Sequence, residues 1–523
     1  MAHIVIINPQ FETSFWGLEH GVPLLGRRAT LPVAALPLLA ALTPRHHEVT
    51  LIDENVEAII WEVVSKADIV CLTGMCVQRT RMDEILHELR ERDKFVVVGG
   101  PYVTVEKHIF DHLADVVFIG EADETWQPLL AEWERGEHKS RYEQADRTDM
   151  TKVPVPRLDL VKAQHYMYGS MQISRGCPFQ CEFCDIIITF GRRPRLKTSE
   201  QVIAELNNFM KTPLRLVFVV DDNLIGNKKA IKPILREIVK WQQERNYPLT
   251  LFTEASLDLA EDEELMELMG AANFQACFVG IESPNEEALK ETKKYQNVRP
   301  NAGTVMERIR RIQDHGIELW CGMILGFDHD DSTAFQIMPE YIQETSIAHA
   351  LIGMLHAIPT TPLFDRLKEA GRIDESENFM DYGTNVIPMQ MTRQELREGY
   401  IQVMDKAYSP ESFFARIDEL YINRRFKYKT HTLPFWRKRI FAWWKRCLGN
   451  VGKTVYLYRR VLREMPERDL VEVYKKRFWR VVRARPFEPH LWFHYIIKIT
   501  MHYHYYTMIQ GMKAGRKEVV RSW

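Results

Sequence analysis

Short apolar runs recur through the first 140 residues, at 3–8 (HIVIIN), 49–52 (VTLI), 69–73 (IVCLT), 95–98 (FVVV) and 116–119 (VVFI). Each has strand length, and the segments between them, such as 80–92, carry the spacing of amphipathic helices. Strands alternating with helices predict a parallel, doubly wound sheet over 1–140, with ligands beyond the carboxyl ends of the strands. Those ends are Asn8-Pro9, Asp53-Glu54, Thr73-Gly74, Gly99-Gly100-Pro101 and Gly120-Glu121. The following stretch, 141–164, is charged and then proline-bearing (VPVPRLD), and reads as a linker.

A second alternation fills 165–385. Its strands are predicted at 171–174, 215–220, 249–253, 275–281, 318–325 and 350–358, with helices between them at 198–210, 228–245 and 300–315. Six βα-type units of this spacing predict a partial (β/α)6 barrel, with chemistry at the strand carboxyl ends. From 386 to 523 the pattern turns helical, then basic and aromatic. The predicted fold class is α/β: a doubly wound sheet, a partial barrel and a mostly helical C-terminal domain.

Composition changes this picture in three places. With 46% hydrophobic and 27% charged residues, the 523-residue chain is an ordinary globular protein, neither disordered nor fibrous. Its formal charge of −2 hides an asymmetry, because residues 421–523 hold 25 Lys and Arg against 6 Asp and Glu. The opening MAHIVIINPQF lacks the marks of a secretory signal, and the apolar stretches at 31–44 and 491–512 are broken by prolines, or by Lys498 and histidines. A cytoplasmic protein is the expectation. Eight cysteines are too few and too scattered for a disulfide scaffold.

Three of those cysteines carry chemistry. Ser174-Arg-Gly-Cys177-Pro-Phe-Gln-Cys181-Glu-Phe-Cys184-Asp sets Cys177, Cys181 and Cys184 at CxxxCxxC spacing just after a strand. Three thiolates can ligate three irons of a 4Fe-4S cube and leave the fourth open to chelate the amino and carboxylate groups of a methionine moiety. Gly176 and Pro178 favour a loop, on which the sulfurs can converge. A zinc site would need a fourth ligand, for which His165 is the nearest upstream candidate. Plain buried thiols are the other alternative, and the better reading for Cys71, Cys76, Cys277, Cys321 and Cys447.

This motif, with the aromatic Phe183 before its last cysteine, resembles the radical S-adenosylmethionine (SAM) superfamily over about 171–385. The resemblance implies a 4Fe-4S cluster that cleaves SAM to a 5′-deoxyadenosyl radical. It also implies SAM contacts from Phe183, from Asp222 and Asn223 in VVDDN, from Glu282 in VGIES, and from Gly322 and Gly326 in GMILG. Taken singly, those carboxylates could cap helices and those glycines could mark turns.

A doubly wound unit ahead of such a barrel resembles the cobalamin-dependent branch of the superfamily, whose characteristic turns are matched by VGGPYVT (98–104) and FIGEADE (118–124). Thr73, Gly99, Gly100 and Glu121 are then the implied cobalamin contacts. No Asp-x-His-x-x-Gly sequence occurs there, so a cobalt without a protein histidine beneath it is expected. A flavodoxin-like domain that binds nothing is the bland alternative, and a dinucleotide site lacks its G-x-G-x-x-G. Within the branch the chain is similar to the hopanoid C-2 methylase group, through FWGLEHGVP (15–23), CDIIITFGRRPR (184–195) and the helical tail.

The resemblance implies transfer of a methyl group to carbon of a lipid-like or other small-molecule substrate, with an electron donor such as flavodoxin or ferredoxin. A ring contraction, cyclisation or other rearrangement on the same cofactors stays open, as does a non-catalytic or nucleic-acid-binding protein retaining the fold. The tail over 424–446 (RRFKYKTHTLPFWRKRIFAWWKR) suits either a helical face docked on the acidic body or peripheral contact with the inner face of a membrane, with nucleic acid disfavoured.

Overall fold

The computed structural model describes residues 1–376, 383–423 and 430–515. Six parallel strands form the first sheet in the order β2-β1-β3-β4-β5-β6. They are β1 (His3–Asn8), β2 (Glu48–Asp53), β3 (Ile69–Thr73), β4 (Val96–Gly99), β5 (Val116–Ile119) and β6 (Arg141–Glu143). The first five match the apolar runs: β1, β3, β4 and β5 are buried on both faces, under the helices Ala35–Leu42 and Trp126–Glu134 on one side and Arg79–Glu91 on the other, and the edge strand β2 is partly buried. The reversal of strand order beside β1 opens a crevice at the carboxyl ends of β1, β3 and β4.

The stretch expected to be a linker is partly built into the fold. Arg141–Glu143 adds β6 to the sheet edge, where a short polar strand leaves no apolar run to read. Further on, Gln201 Nε2 donates to the carbonyls of Met150 and Val153, at 3.1 and 2.7 Å, and binds the connection to the second unit.

That second unit is a sheet of six parallel strands in sequential order: β7 (Gly169–Met171), β10 (Leu216–Val219), β11 (Thr250–Ala255), β12 (Phe274–Glu282), β13 (Glu318–Leu325) and β14 (His349–Met354). Between β7 and β10 lies a two-stranded antiparallel hairpin of β8 (Ser174–Arg175) and β9 (Arg195–Leu196), whose loop carries the three cysteines. The first barrel strand ends earlier than the expected 171–174, because the N–H groups of Ile173 and Ser174 donate to the Asp221 carboxylate at 2.7 and 2.8 Å rather than continuing the ladder. The helix expected over 300–315 begins at Val305, where Thr304 and Glu307 form a capping box.

The barrel is open between β7 and β14, and the gap is filled from both ends of the chain. Phe15, in the loop after β1, stacks on Tyr505 of the helix Pro489–Lys513 with centroids 4.3 Å apart. Trp16 points at the lumen ring Phe278, 5.1 Å away. Beneath them Phe218 and Phe252 stack at 4.6 Å. These rings enclose an apolar cavity of about 20 Å³, closed below by Trp320, His349 and Met501.

The helical region is fastened to the barrel floor by a buried ionic knot. Glu318 accepts from Trp320 Nε1 at 2.6 Å and from Lys498 and Tyr421, and Lys498 Nζ reaches His349 Nε2 at 2.9 Å. Burial, together with the Lys498 charge, drives the His349 imidazolium well below the usual histidine range, so His349 is neutral.

Candidate active site at the barrel mouth

The cysteine loop is held by backbone geometry before its thiols do anything. Gly176 has a φ of 95°, and a Cβ there would lie 2.9 Å from the Gly191 carbonyl oxygen, so only glycine brings the loop this close to β9. Its N–H donates to the Asp222 carboxylate at 2.7 Å, and the Cys177 N–H to the Gly191 carbonyl at 3.2 Å. Asn223 Nδ2 lies 3.8 Å from Cys177 Sγ, and Gln296 Nε2 lies 3.4 Å from Cys181 Sγ.

Among the described residues, only His46, His47 and Glu134 bring three ligand atoms all within 4.8 Å of one another. Cys177, Cys181 and Cys184 are not such a group; three thiolates from one short loop suit three irons of a cluster with the fourth iron left open. His165 sits among Arg28, Lys162 and Glu57 rather than with the thiols, so it is no fourth ligand. The other five cysteines are buried, as packing requires.

Charged groups ring this loop. Lys294, buried, pairs with Glu282 at 2.6 Å and lies 5.7 Å from the centre of the Phe183 ring. Burial alone would lower its ammonium, but the Glu282 carboxylate and the Cys181 sulfur outweigh that and hold it above the lysine range. Glu282 ends β12 at a φ of 70°, a left-handed conformation that turns its side chain back over Gly280 and Gly322. A Cβ on Gly322 would lie 3.2 Å from the Phe278 ring and 3.5 Å from Glu282, so the missing side chain keeps the mouth clear. Gly326 does other work: its φ is 98°, and its open side faces Leu396 of the helix Arg393–Ala407.

Three acids gather opposite. Burial pushes Asp221 up to about 6, Asp222 to about 7 and Glu254 to about 8, the last also repelled by the first two. Glu254 is shielded from bulk water yet lines a cavity, so its carboxyl has room to meet a bound molecule.

That cavity, of about 650 Å³, is the largest feature of the site. It runs from the ends of β3, β4 and β5, past Thr73, Gly99, Gly100 and Glu121, to Asp185 and Ile186 behind the last cysteine and to Glu254. Gly100 has a φ of 99°, and a Cβ there would lie 2.4 Å from Thr73 Oγ1, so the rim needs glycine. No histidine is among the residues that line it. Glu121 acts as a clamp. Its buried carboxylate accepts from Arg175 at 2.7 Å, from Arg195 at 3.1 Å and from the Thr148 N–H at 3.0 Å. It thereby ties the first sheet to the hairpin that bears the cysteines. Arg175, Arg195, Lys294, Gln296 and Glu254 are not legible as site residues in the sequence, since buried charges leave no periodic signal.

An open parallel barrel with three thiols at its mouth, joined through one cavity to a doubly wound sheet, defines a radical SAM enzyme of the cobalamin-dependent kind. Known proteins agree with this assignment. The model of the Radical SAM superfamily matches residues 171–338, and that of a Domain of unknown function (DUF4070) matches 361–518. The chain is 33% identical to the hopanoid C-2 methylase of Rhodopseudomonas palustris over 92% of this chain and 89% of that one. It is 37% identical to an uncharacterized methyltransferase of Synechocystis sp. over 79% and 77%. Among solved structures, the cobalamin-dependent SAM radical enzyme OxsB superposes with a TM-score of 0.61 at 14% identity, over 93% of this chain and 79% of that one. The radical SAM methyltransferase TsrM from Kitasatospora setae does so at 0.57 and 18%, over 71% and 76%.

The chain belongs to the cobalamin-binding radical SAM family of the hopanoid C-2 methylase and its relatives. The family's cofactors are a 4Fe-4S cluster, SAM and cobalamin. The residues present fit all three: three thiols on one loop, a carboxylate-lined mouth beside them, and a large cavity free of histidine.

Proposed function

We propose that this enzyme transfers a methyl group to an unactivated carbon of a lipid-like substrate of the hopanoid type. The observation that carries the reading is the single cavity that joins the glycine rim of the first sheet to the cysteine loop. Two cofactors bound at its ends would face the same small volume, which a methyl transfer between them requires. When bound, the cluster and SAM supply the radical and cobalamin the methyl group.

The chain's own residues do the rest. Cys177, Cys181 and Cys184 hold three irons. Phe183, Asp222, Asn223, Glu282 and Gly322 shape the place for SAM, with Lys294 holding Glu282 in position. Thr73, Gly99 and Gly100 form the rim over which cobalamin lies, and Glu121 fixes that rim to the hairpin. The aromatic rings of Trp16, Phe218, Phe252 and Phe278 fill the barrel lumen and exclude water from it. One-electron reduction from a flavodoxin or ferredoxin, a cytoplasmic location and contact with the inner face of a membrane complete the proposal.

The test is a two-product assay on iron-reconstituted protein with cobalamin, SAM, reductant and a lipid extract. Methyl transfer yields S-adenosylhomocysteine together with 5′-deoxyadenosine. A rearrangement without methylation gives 5′-deoxyadenosine alone, and that result would overturn the proposal.

A further inference from the structure

The helix Ile440–Glu464 lies against the body along a narrow seam. Its buried residues Cys447, Thr454 and Val461 recur every seven positions, and Arg446 Nη1 anchors its start on the Tyr247 carbonyl at 2.8 Å. The face next to this seam is unusual for a protein surface. Phe441 is 87% exposed, Trp444 52%, Leu448 68% and Val455 44%. Spacings of three, four and seven residues place these four on one side of the helix. Tyr456, also exposed, flanks them.

The charge on this face has one sign. The 25-residue helix holds six Lys and Arg and a single acid, Glu464, at its last position. Lys445 and Arg459 are exposed beside the apolar stripe, and among the described residues no carboxylate pairs with them. Exposed aromatics within a cationic rim form the pattern of a helix lying in a bilayer interface, rings at the headgroup level and cations against anionic lipid. The helix does not cross a bilayer: no helix among the described residues is long and apolar enough to do so.

The position of the helix favours lipid over another occupant. Its later turns rest on the turn Val22–Leu25, where Arg460 Nη2 donates to the Pro23 carbonyl at 3.4 Å. That turn continues the segment whose Phe15 and Trp16 wall the aromatic lumen. The apolar stripe therefore lies on the element that abuts the lumen wall. We propose that the enzyme docks on an anionic phospholipid surface through Phe441, Trp444, Leu448 and Val455, with Lys445 and Arg459 contacting the headgroups. This deepens the membrane contact proposed above and rests on the surface alone, not on the methylation reading.

The experiment is flotation of the full chain with vesicles of phosphatidylcholine, with or without phosphatidylglycerol. The wild type floats with the anionic vesicles, less so at high salt. Flotation falls roughly tenfold or more in Phe441→Glu/Trp444→Glu and in Lys445→Glu/Arg459→Glu. Both variants keep the wild-type circular dichroism and form 5′-deoxyadenosine in solution at the wild-type rate, so a failed docking proposal is separable from a failed enzymatic one. Absence of flotation by the wild type, or equal flotation by wild type and variants, would overturn the inference. So would loss of the same residues' exposure through self-association in sedimentation, or wild-type binding to single-stranded RNA in place of vesicles.

Discussion

Replacing Glu121 with alanine tests the joint between the first sheet and the barrel. The Glu121 side chain is 1% exposed, that of Arg175 7% and that of Arg195 15%. Removing one partner of a buried pair costs roughly 3–5 kcal/mol, because an uncompensated charge stays behind. Compensation here is partial. Arg175 keeps Asp123 at 2.7 Å, and Arg195 keeps the Thr148 and Phe190 carbonyls at 2.6 and 3.0 Å. The lower end of that range, about 3 kcal/mol, is therefore expected for Glu121→Ala, and about half of it for Glu121→Gln, which keeps shape and an acceptor oxygen but not the charge. Urea unfolding followed by tryptophan fluorescence and circular dichroism measures both. In a chain of several layers the shift should fall on the transition that separates sheet from barrel. A loss below about 0.5 kcal/mol for the alanine variant would rule out the clamp, since the arginines would then be hydrated rather than held.

Three further outcomes follow from the site. Gly100→Ala places a Cβ 2.4 Å from Thr73 Oγ1 at a φ of 99° and ψ of −177°, a region open essentially to glycine alone, so cobalamin uptake in a spectral titration should fall about tenfold or more, in line with a strain of roughly 1–3 kcal/mol. Formation of 5′-deoxyadenosine should persist in that variant, and unchanged uptake would place cobalamin elsewhere. Lys294→Met leaves the buried Glu282 without its 2.6 Å partner, and SAM cleavage should drop about a hundredfold at full iron content, as for a broken buried pair; an unchanged rate would remove Lys294 from the site. Burial raises Glu254 from 4.5 to about 8, so the folded state holds a proton that the unfolded state releases, and cofactor-free protein should lose stability as pH rises from about 4.5 to about 8. Asp221 and Asp222, raised to about 6 and 7, act in the same direction. The melting temperature of Glu254→Gln should fall less over that range than the wild type's, and parallel curves would contradict the assignment.

Much of this architecture is legible in the chain, and for one physical reason. Strands buried on both faces, such as Ile69–Thr73, Val116–Ile119 and Glu318–Leu325, must be continuously apolar, and they lie where the apolar runs predict. Arg141–Glu143 escapes because an edge strand has no such requirement. The β8–β9 hairpin escapes because two residues per strand carry no period. The cysteine loop is legible from spacing alone, since all three of its cysteines fall within one short turn. What surrounds it is not. Lys294 and Glu282 meet across twelve residues, and Glu121 and Arg175 across fifty-four. Such pairs are set by how layers stack, which no local pattern encodes. The FWGLEHGVP segment is legible through its resemblance, but its place as a plug in the barrel seam depends on the distant Tyr505. The basic tail is legible as charge, and its first residues, 424–429, lie outside the described residues. Its exposed aromatic stripe emerges only once the seam Cys447, Thr454 and Val461 is known.

One cavity, on this reading, brings a SAM-derived radical and a methyl-carrying cobalamin to the same carbon, and following the methyl group puts that to the proof. Iron-reconstituted enzyme is supplied with cobalamin, reductant, a hopanoid-containing lipid extract and SAM deuterated at the methyl group, and the lipid products are read by mass spectrometry. The expected product carries the intact deuterated methyl on carbon, and is absent when Cys177, Cys181 and Cys184 are replaced by alanine or when cobalamin is withheld. A labelled product that forms equally well in the triple cysteine variant, or a turnover that leaves no label in any lipid, would show that the cavity does not serve this transfer.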